Sequence, residues 1–445
     1  MEVLKVILEA AIVLGAIGLG VRTGGIGLGL WGAFGTALLV FGFGMSPGSP
    51  PVAAFFIIIA VISASAAMQA AGGIDYLVRI ASRIIRKRPG QITYVAPLVS
   101  FLFTVGSGTS NIFFALMPVI YETAHKNGVR PERPLTASTI ASGLGITASP
   151  VSAAMAAYLT LLPGDFTLAK ILMITVPSGI LAIIAVSVVQ SRIGKELKDD
   201  PEFQRRVAEG LVEPIPTRAE RGQETAEAPL PAGAARSAWV FGTAVVVVVL
   251  MGLFDALRPI VTVKDKAAPL DMSTVIQLVM FTVALIIVVW NKVEPAKVVR
   301  QPLMTAGLVA AIALFGIAWM ADTFIAGNQT TLIDPLTALI KDHPYLVAVG
   351  FFLVVGLTTS QSAATRTIAP IGLAALSPAT VTAMWTSLTG VWLFPANGSQ
   401  IAAVEMDKTG TTKLGRAVVY HSFTIPMVVS WLVSVGVGLG IASLM

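Results

Sequence analysis

Cysteine is absent from the 445 residues, which excludes disulfides, thiol catalysis and thiolate metal sites. The three histidines, His125, His343 and His421, stand far apart and form no metal-ligand spacing. Charged residues make up only 12% of the chain against 55% hydrophobic, and this excludes an ordinary soluble globule. Mean hydropathy, +0.82, says the same. The net charge of +6 comes from Lys and Arg gathered at the edges of apolar runs, not from a patch suited to nucleic acid. No Walker sequence offers ATP-driven pumping. GGIGLGLWG at 24–32 follows no strand and precedes no Gly-Lys-Ser/Thr, so its glycines read as close helix packing. No nucleophile–base arrangement marks an enzyme.

What the chain has instead is apolar length. Runs at 3–21, 24–45 and 52–72 can each cross a bilayer, for which about 20 residues suffice. The first has no basic n-region and no small-residue cleavage site, so it reads as a span rather than a removed signal. An uncharged link, Ser46-Pro47-Gly48-Ser49-Pro50-Pro51, precedes the third. The third leads into an amphipathic stretch at 75–88 that carries Arg79, Arg83, Arg86, Lys87 and Arg88. The next apolar stretch, 89–121, ends at a second basic group, Lys126, Arg130 and Arg133. Basic loops stay on the cytoplasmic side, so both ends of 89–121 belong there. Two halves of about 15 residues rise only about 22 Å each, against a hydrocarbon core of roughly 30 Å. A re-entrant hairpin is therefore expected, with Gly106-Ser107-Gly108-Thr109-Ser110-Asn111 at its tip. Irregular backbone at that depth persists only inside protein or beside a water-filled cavity.

An apolar segment at 135–162 is interrupted by Ser149-Pro150, and 169–191 is a further span. Residues 192–236, polar and rich in Pro, Ala and Glu, read as a flexible cytoplasmic linker with one short helix at 199–211. The second half repeats the plan. It has spans at 237–254, 272–290 and 302–326, an amphipathic stretch at 332–341, and a hairpin at 344–376 centred on Thr358-Thr359-Ser360-Gln361. A segment at 379–405, broken at Phe394-Pro395-Ala396-Asn397-Gly398-Ser399, and a span at 417–443 follow. The second hairpin has few basic residues at its flanks and so enters from outside; the same walk along the charges puts both termini outside. Residues 1–191 and 237–445 thus read as two repeats of opposite orientation, as in many secondary transporters.

Two hairpin tips and two broken helices fall at corresponding places. Half-helix N-termini favour anions, while exposed carbonyls and hydroxyls can hold cations. Candidate substrate ligands are Ser107, Thr109, Ser110, Asn111, Ser149 and Ser152 in the first half. In the second they are Thr359, Ser360, Gln361, Asn397, Gly398, Ser399 and Gln400. Ser and Thr also pack membrane helices, so the set carries the signal rather than any one member. Arg366, five residues past the second tip, is costly in a membrane and is expected to face a wet cavity and an anion. That anion is a substrate carboxylate, whose clamp Arg366 would be, or an internal or lipid group; snorkelling to the interface is the remaining reading. Asp322, near a span end, reads as interfacial, with proton or cation carriage as the alternative.

Longer matches are RTGGIGLG, AMQAAGGIDYL, GSGTSN, NGVRPERPLTAS, ITASPVSAA, GIAWMADTF, SQSAATRTIAP, VEMDKTGTTKLGR and YHSFTIP. On these, over roughly 15–430, the chain resembles the Dcu family of anaerobic C4-dicarboxylate transporters. The resemblance implies a bacterial inner-membrane carrier for fumarate, succinate, malate or aspartate, often working by exchange. It also implies kinship with an ion-transporter superfamily whose hairpin scaffolds move as an elevator. Where the family carries Thr-Tyr-Pro, this chain reads Pro395-Ala396-Asn397-Gly398-Ser399. Such a loop suits cation coordination, making Asn111, Asn397 and Ser399 candidate sodium ligands; proton coupling is the other route.

The expected molecule is an all-α polytopic membrane protein, an inverted repeat of about ten transmembrane helices plus two re-entrant hairpins. Its expected role is secondary active transport of small dicarboxylates, without enzymatic activity, cofactor or nucleic-acid partner. Membrane lipid and further copies of the chain, in a homo-oligomer, are its expected neighbours. A passive organic-anion channel and a membrane dicarboxylate sensor acting through 192–236 are the two rival readings.

Overall fold

A computed structural model of the chain describes residues 2–23, 25–216, 229–263, 266–328, 334–358, 361–389, 398–414 and 421–445. The first half runs α1 (Glu2–Thr23), α2 (Gly27–Ala37) continued by a π-turn at Leu38–Gly42, α3 (Val52–Ala70) and the amphipathic α4 (Gly73–Lys87). The hairpin arms α5 (Ile92–Ser107) and α6 (Asn111–Lys126) follow, then the broken helix α7 (Glu132–Thr147) and α8 (Ala153–Leu159), then α9 (Leu168–Gln190). After α10 (Pro201–Ala208) the order recurs. It runs α11 (Ala234–Leu253), strands β1 (Ile260–Val263) and β2 (Lys266–Pro269), α12 (Met272–Trp290), a short α13 (Pro295–Val299), α14 (Pro302–Gly327) and α15 (Asp334–Asp342). The second hairpin is α16 (Leu346–Thr358) with α17 (Gln361–Ala375), the second broken helix α18 (Pro378–Trp385) with α19 (Gly398–Met406), and α20 (Thr424–Ala442) ends the chain.

Among the described residues, seven helices are long and apolar enough to cross a membrane: α3, the first hairpin arm with its leading turn (Pro89–Ser107), α9, α11, α12, α14 and α20. With that arm set aside, α1, α2 with its π-turn and the helix pairs α7–α8 and α18–α19 are the described elements that correspond to the remaining expected spans. Contacts come in pairs that exchange when the halves are swapped. α3 packs on α12 and α14 on α2; α8 meets α17 and α19 meets α6; α4 lies on α6 and α15 on α17. The equivalent helices α3 and α14 run antiparallel. Gln69, in the last turn of α3, accepts the Leu303 N–H at the start of α14 (3.1 Å), while Gly48, just before α3, bonds Thr323 near the end of α14 (3.0 Å). A two-fold repeat with antiparallel equivalents is an inverted repeat.

The glycines of α2 do pack helices closely. A Cβ on Gly29 would fall 2.1 Å from the Ile312 carbonyl oxygen, and one on Gly316 would fall 1.8 Å from that of Gly29. Gly72, at φ +82°, lets the chain turn from α3 into α4, whose Ile74, Ala81 and Ile85 are buried beneath an arginine-bearing face.

Three features depart from the sequence reading. The chain is not wholly α: Ile260-Val261-Thr262-Val263 pairs antiparallel with 266–269, a β-branched run too short to register as a span. The first hairpin extends to Lys126 rather than 121. Residues 192–216 are not a free linker, because they dock on the ends of α6 and α7. Arg130 holds both Glu132 and Asp200 at 2.5 Å, Arg133 reaches Glu196 at 2.9 Å, and Phe203 is buried. Residues 217–228 lie outside the described residues.

This docking has a pH dependence. Burial works against the charged Asp200 carboxylate, but the Phe203 and Glu202 amides and the Arg130 guanidinium outweigh it and hold its pKa below the ordinary carboxylate value. A pKa lowered in the docked state contributes stability above the ordinary value of about 3.9 and loses it as pH falls below that. Protection of the 201–208 amides from hydrogen exchange, corrected for intrinsic rates, is expected to hold at pH 5 and above and to fall below about pH 4. Unchanged protection at pH 3 would show that Asp200 does not hold the segment.

Candidate functional site

The first tip is made by Gly108, at φ +72°, which ends α5 in a left-handed turn while its N–H still reaches the Thr104 carbonyl (2.9 Å). Ser107 Oγ donates to the Thr109 carbonyl (3.1 Å), and Ser110 precedes the first turn of α6. The tip sits against the first helix break. A Cβ on Gly108 would lie 2.6 Å from the Val151 carbonyl oxygen, and Ser149 Oγ donates to the Val105 carbonyl (2.7 Å). Ser152 serves both broken ends: its Oγ donates to the Ile146 carbonyl (2.7 Å) and accepts the Met155 N–H at the start of α8 (3.0 Å).

The second tip reaches the same place through Gln361, the first residue of α17. Its Nε2 donates to the Gly143 carbonyl of α7 (3.0 Å) and also to the Leu388 carbonyl beyond α18. The two broken helices touch here, for a Cβ on Gly143 would fall 1.7 Å from the Thr389 carbonyl oxygen. Buried aromatics brace the junction. Tyr158 of α8 stacks on Trp385 of α18 with centroids 4.5 Å apart, Tyr158 Oη meets Thr382 Oγ1 (2.9 Å), and Trp385 Nε1 donates to Thr365 Oγ1 (2.8 Å).

A cavity of about 310 Å³ lies at this meeting point. Ser107, Thr109 and Ser110 of the tip, Ser152 of the break, and Gln361 and Ser362 of α17 form its polar wall; α3 and α14 close it with Ile57, Ile58, Val61 and Leu303, and with Ser65. Among the described residues no Asp, Glu, Lys or Arg lines it.

Of the residues singled out from sequence, five therefore share one cavity: Ser107, Thr109, Ser110, Ser152 and Gln361. Ser149 is turned to the Val105 carbonyl instead. Asn111 opens α6 and Gly398 opens α19; Ser399 and Gln400 lie in the first turn of α19 and are not among the residues lining the cavity. Thr359, Ser360 and Asn397 lie outside the described residues. Arg366 is not in the wall either, which departs from a clamp reaching the ligand. Among the described residues its Nε is buried without a hydrogen-bond partner and the acidic charge acting on it is Asp322, distant in sequence but brought near by the packing of α14 on α17. Asp322 itself accepts the Ser49 N–H (2.6 Å) beside a Trp319–Gly48 hydrogen bond (2.9 Å), so it also ties down the 46–51 link. Sequence reasoning missed Ser65, Ser362 and Gly143. Only a polar residue in an otherwise apolar helix marked Ser65, and nothing local marked Gly143.

Comparison with known proteins agrees with this architecture. Residues 5–445 match the family described as anaerobic C4-dicarboxylate membrane transporter. The anaerobic C4-dicarboxylate transporter DcuB of Escherichia coli O6:H1 is 36% identical over 431 residues, 94% of each chain. The C4-dicarboxylate transporter DcuA of Escherichia coli (strain K12) is 37% identical, covering 94% of this chain and 95% of that one. DcuA of Wolinella succinogenes is 32% identical over 99% of both. The crystal structure of the Alcanivorax borkumensis YdaH transporter, described as having an unusual topology, matches with a TM-score of 0.55 at 14% identity over 87% of this chain and 84% of that one, a likeness of fold alone. By its full-length match and its relatives, this integral membrane protein belongs to the anaerobic C4-dicarboxylate transporter family.

Proposed function

We propose that the chain is a secondary active carrier of C4-dicarboxylates such as fumarate, succinate, malate and aspartate, and that the cavity between the first hairpin tip, the first helix break and the start of α17 is its substrate site. The observation that carries this is the convergence itself. Three hydroxyls and a capping serine face one space at the start of α6 and α17, helices of 16 and 15 residues. Free N–H groups and the positive dipole end at such starts stabilise anions without a cationic side chain. The volume, about 310 Å³, lies at the small end of the ~300–1,000 Å³ range of ligand sites, as a four-carbon ligand requires. In this reading Arg366 stands outside the cavity wall, with the charge of Asp322 acting on it in place of a bound carboxylate. Coupling is by exchange or by a cation, with Asn111, Asn397 and Ser399 the candidate sodium ligands, and access alternates by elevator-type movement of the hairpin scaffold. The protein would sit in the bacterial inner membrane with both termini on the outer side.

In proteoliposomes, labelled succinate uptake is expected to saturate and to accelerate when fumarate or aspartate is loaded inside. Repeating the assay with sodium, choline or a pH gradient separates the coupling modes. Linear flux without acceleration would sink the carrier in favour of a pore; binding without flux would favour a sensor.

A further inference from the structure

We infer that α3 forms one wall of the substrate path, with Ser65 and Gln69 as successive contacts for a ligand carboxylate between the site and the basic end of the molecule. The inference rests on the cavity being the dicarboxylate site. Ser65 is 4% exposed and lies in the cavity wall, yet its Oγ has no hydrogen-bond partner. Ser63 on the same helix satisfies itself on the preceding turn, donating to the Ile59 carbonyl (2.7 Å). Ser65, two residues further on, does not. Other buried serines, such as Ser100 and Ser138, also lack a partner, but among the described residues with such an orphan Ser65 is the one in the cavity wall. A buried hydroxyl without a partner, on a residue that lines a cavity, gains one when its side chain turns toward a ligand seated there.

One helical turn further along α3 stands Gln69. It lines a second cavity of about 360 Å³, together with Ile74, Phe114, Ala115 and Pro302. Thr109, Leu303 and Ala306 line both cavities, so the two spaces adjoin and the hairpin tip divides them. Gln69 Oε1 accepts the Leu303 N–H (3.1 Å), which orients the side chain and leaves Nε2 as its donor. The second cavity leads toward the basic loops. Gln69 is in the last turn of α3, ahead of α4 with Arg86 and Lys87, and Pro302 opens α14 just after Lys297 and Arg300. The two polar residues mark a route past Thr109, between the second hairpin arm and the α3–α14 wall.

The chain has no native cysteine, so single-cysteine variants report without background. In proteoliposomes, Ser65→Cys and Gln69→Cys are treated with an anionic, membrane-impermeant methanethiosulfonate from either side, with and without succinate. Both are expected to react from the side of the basic loops, with succinate protecting Ser65→Cys. Ser65→Ala is expected to raise KM for succinate by about tenfold with little change in kcat, the loss of one hydrogen bond to a charged group, and Ser65→Thr to restore it. Parental saturable flux together with unchanged KM in Ser65→Ala and no protection at Ser65→Cys would overturn the inference and leave the proposed function standing. Reaction of Gln69→Cys only from the opposite side would overturn the path. Absence of saturable flux in the parent protein would overturn both readings. Should Ser65→Ala fail to fold, the protection experiment alone decides.

Discussion

Gly143→Ala is expected to abolish dicarboxylate flux and to lower the thermal midpoint of the protein. The added methyl would fall 1.7 Å from the Thr389 carbonyl oxygen and 2.8 Å from its carbon, both backbone atoms that no rotamer change can move aside. α7 cannot step away, because every residue from Glu132 to Thr147 is buried. Overpacking of this kind costs about 1–3 kcal/mol. Shifting α7 also removes the Gly143 carbonyl from Gln361 Nε2, and an unpaired buried acceptor costs a further ~1–3 kcal/mol. Against a total stability of about 5–15 kcal/mol, the sum is large, and it falls where both hairpins and both breaks meet. Gly242→Ala in α11, whose methyl would meet nothing within 4 Å, is the control. Tryptophan fluorescence on heating and succinate exchange, measured on both variants, check the expectation. Parental exchange in Gly143→Ala would show that the breaks can part without harm.

The helical plan was legible because the bilayer imposes it: span length, basic loops and polar interruptions are local properties. The first hairpin tip and the first break follow from them, while the centre of the second tip and the second break expected at 394–397 lie outside the described residues. That Ser107, Thr109, Ser110, Ser152 and Gln361 come together in one cavity was likewise legible, as polar groups at the interruptions. What stayed hidden depends on contacts between distant parts of the chain. Gly143 is one of two glycines in Ala141-Ser142-Gly143-Leu144-Gly145, and only Thr389 explains it. Arg366 has no acidic residue near it in sequence; Asp322 is brought toward it by the packing of α14 on α17. Arg130 and Arg133 read as topology markers, yet each also grips a carboxylate of the following polar stretch. Composition suggested that this stretch floats; specific ion pairs dock it. The 260–269 ribbon was overlooked because four β-branched residues between two spans resemble any short loop.

Gln361→Glu is expected to lower flux by about two orders of magnitude at neutral pH. The amide Nε2 of Gln361 donates to two carbonyls, one from each broken helix, so it latches the second hairpin tip to both breaks. A carboxylate of the same shape presents only lone pairs to the same two oxygens, turning attraction into repulsion in a part-buried place. Two orphaned acceptors at ~1–3 kcal/mol each give the estimate, since each 1.4 kcal/mol is about tenfold. The variant also has a signature that a general packing defect lacks. Protonating the new carboxylate restores one O–H donor, so Gln361→Glu is expected to recover part of its exchange as pH falls. Gln361→Leu, with no donor at any pH, is expected to stay inactive. Exchange assayed from pH 8 to pH 5 with succinate on both sides distinguishes the three proteins. If Gln361→Glu and Gln361→Leu both run at the parental rate at neutral pH, the latch is dispensable and the broken helices are held together by the Tyr158–Trp385 stack instead.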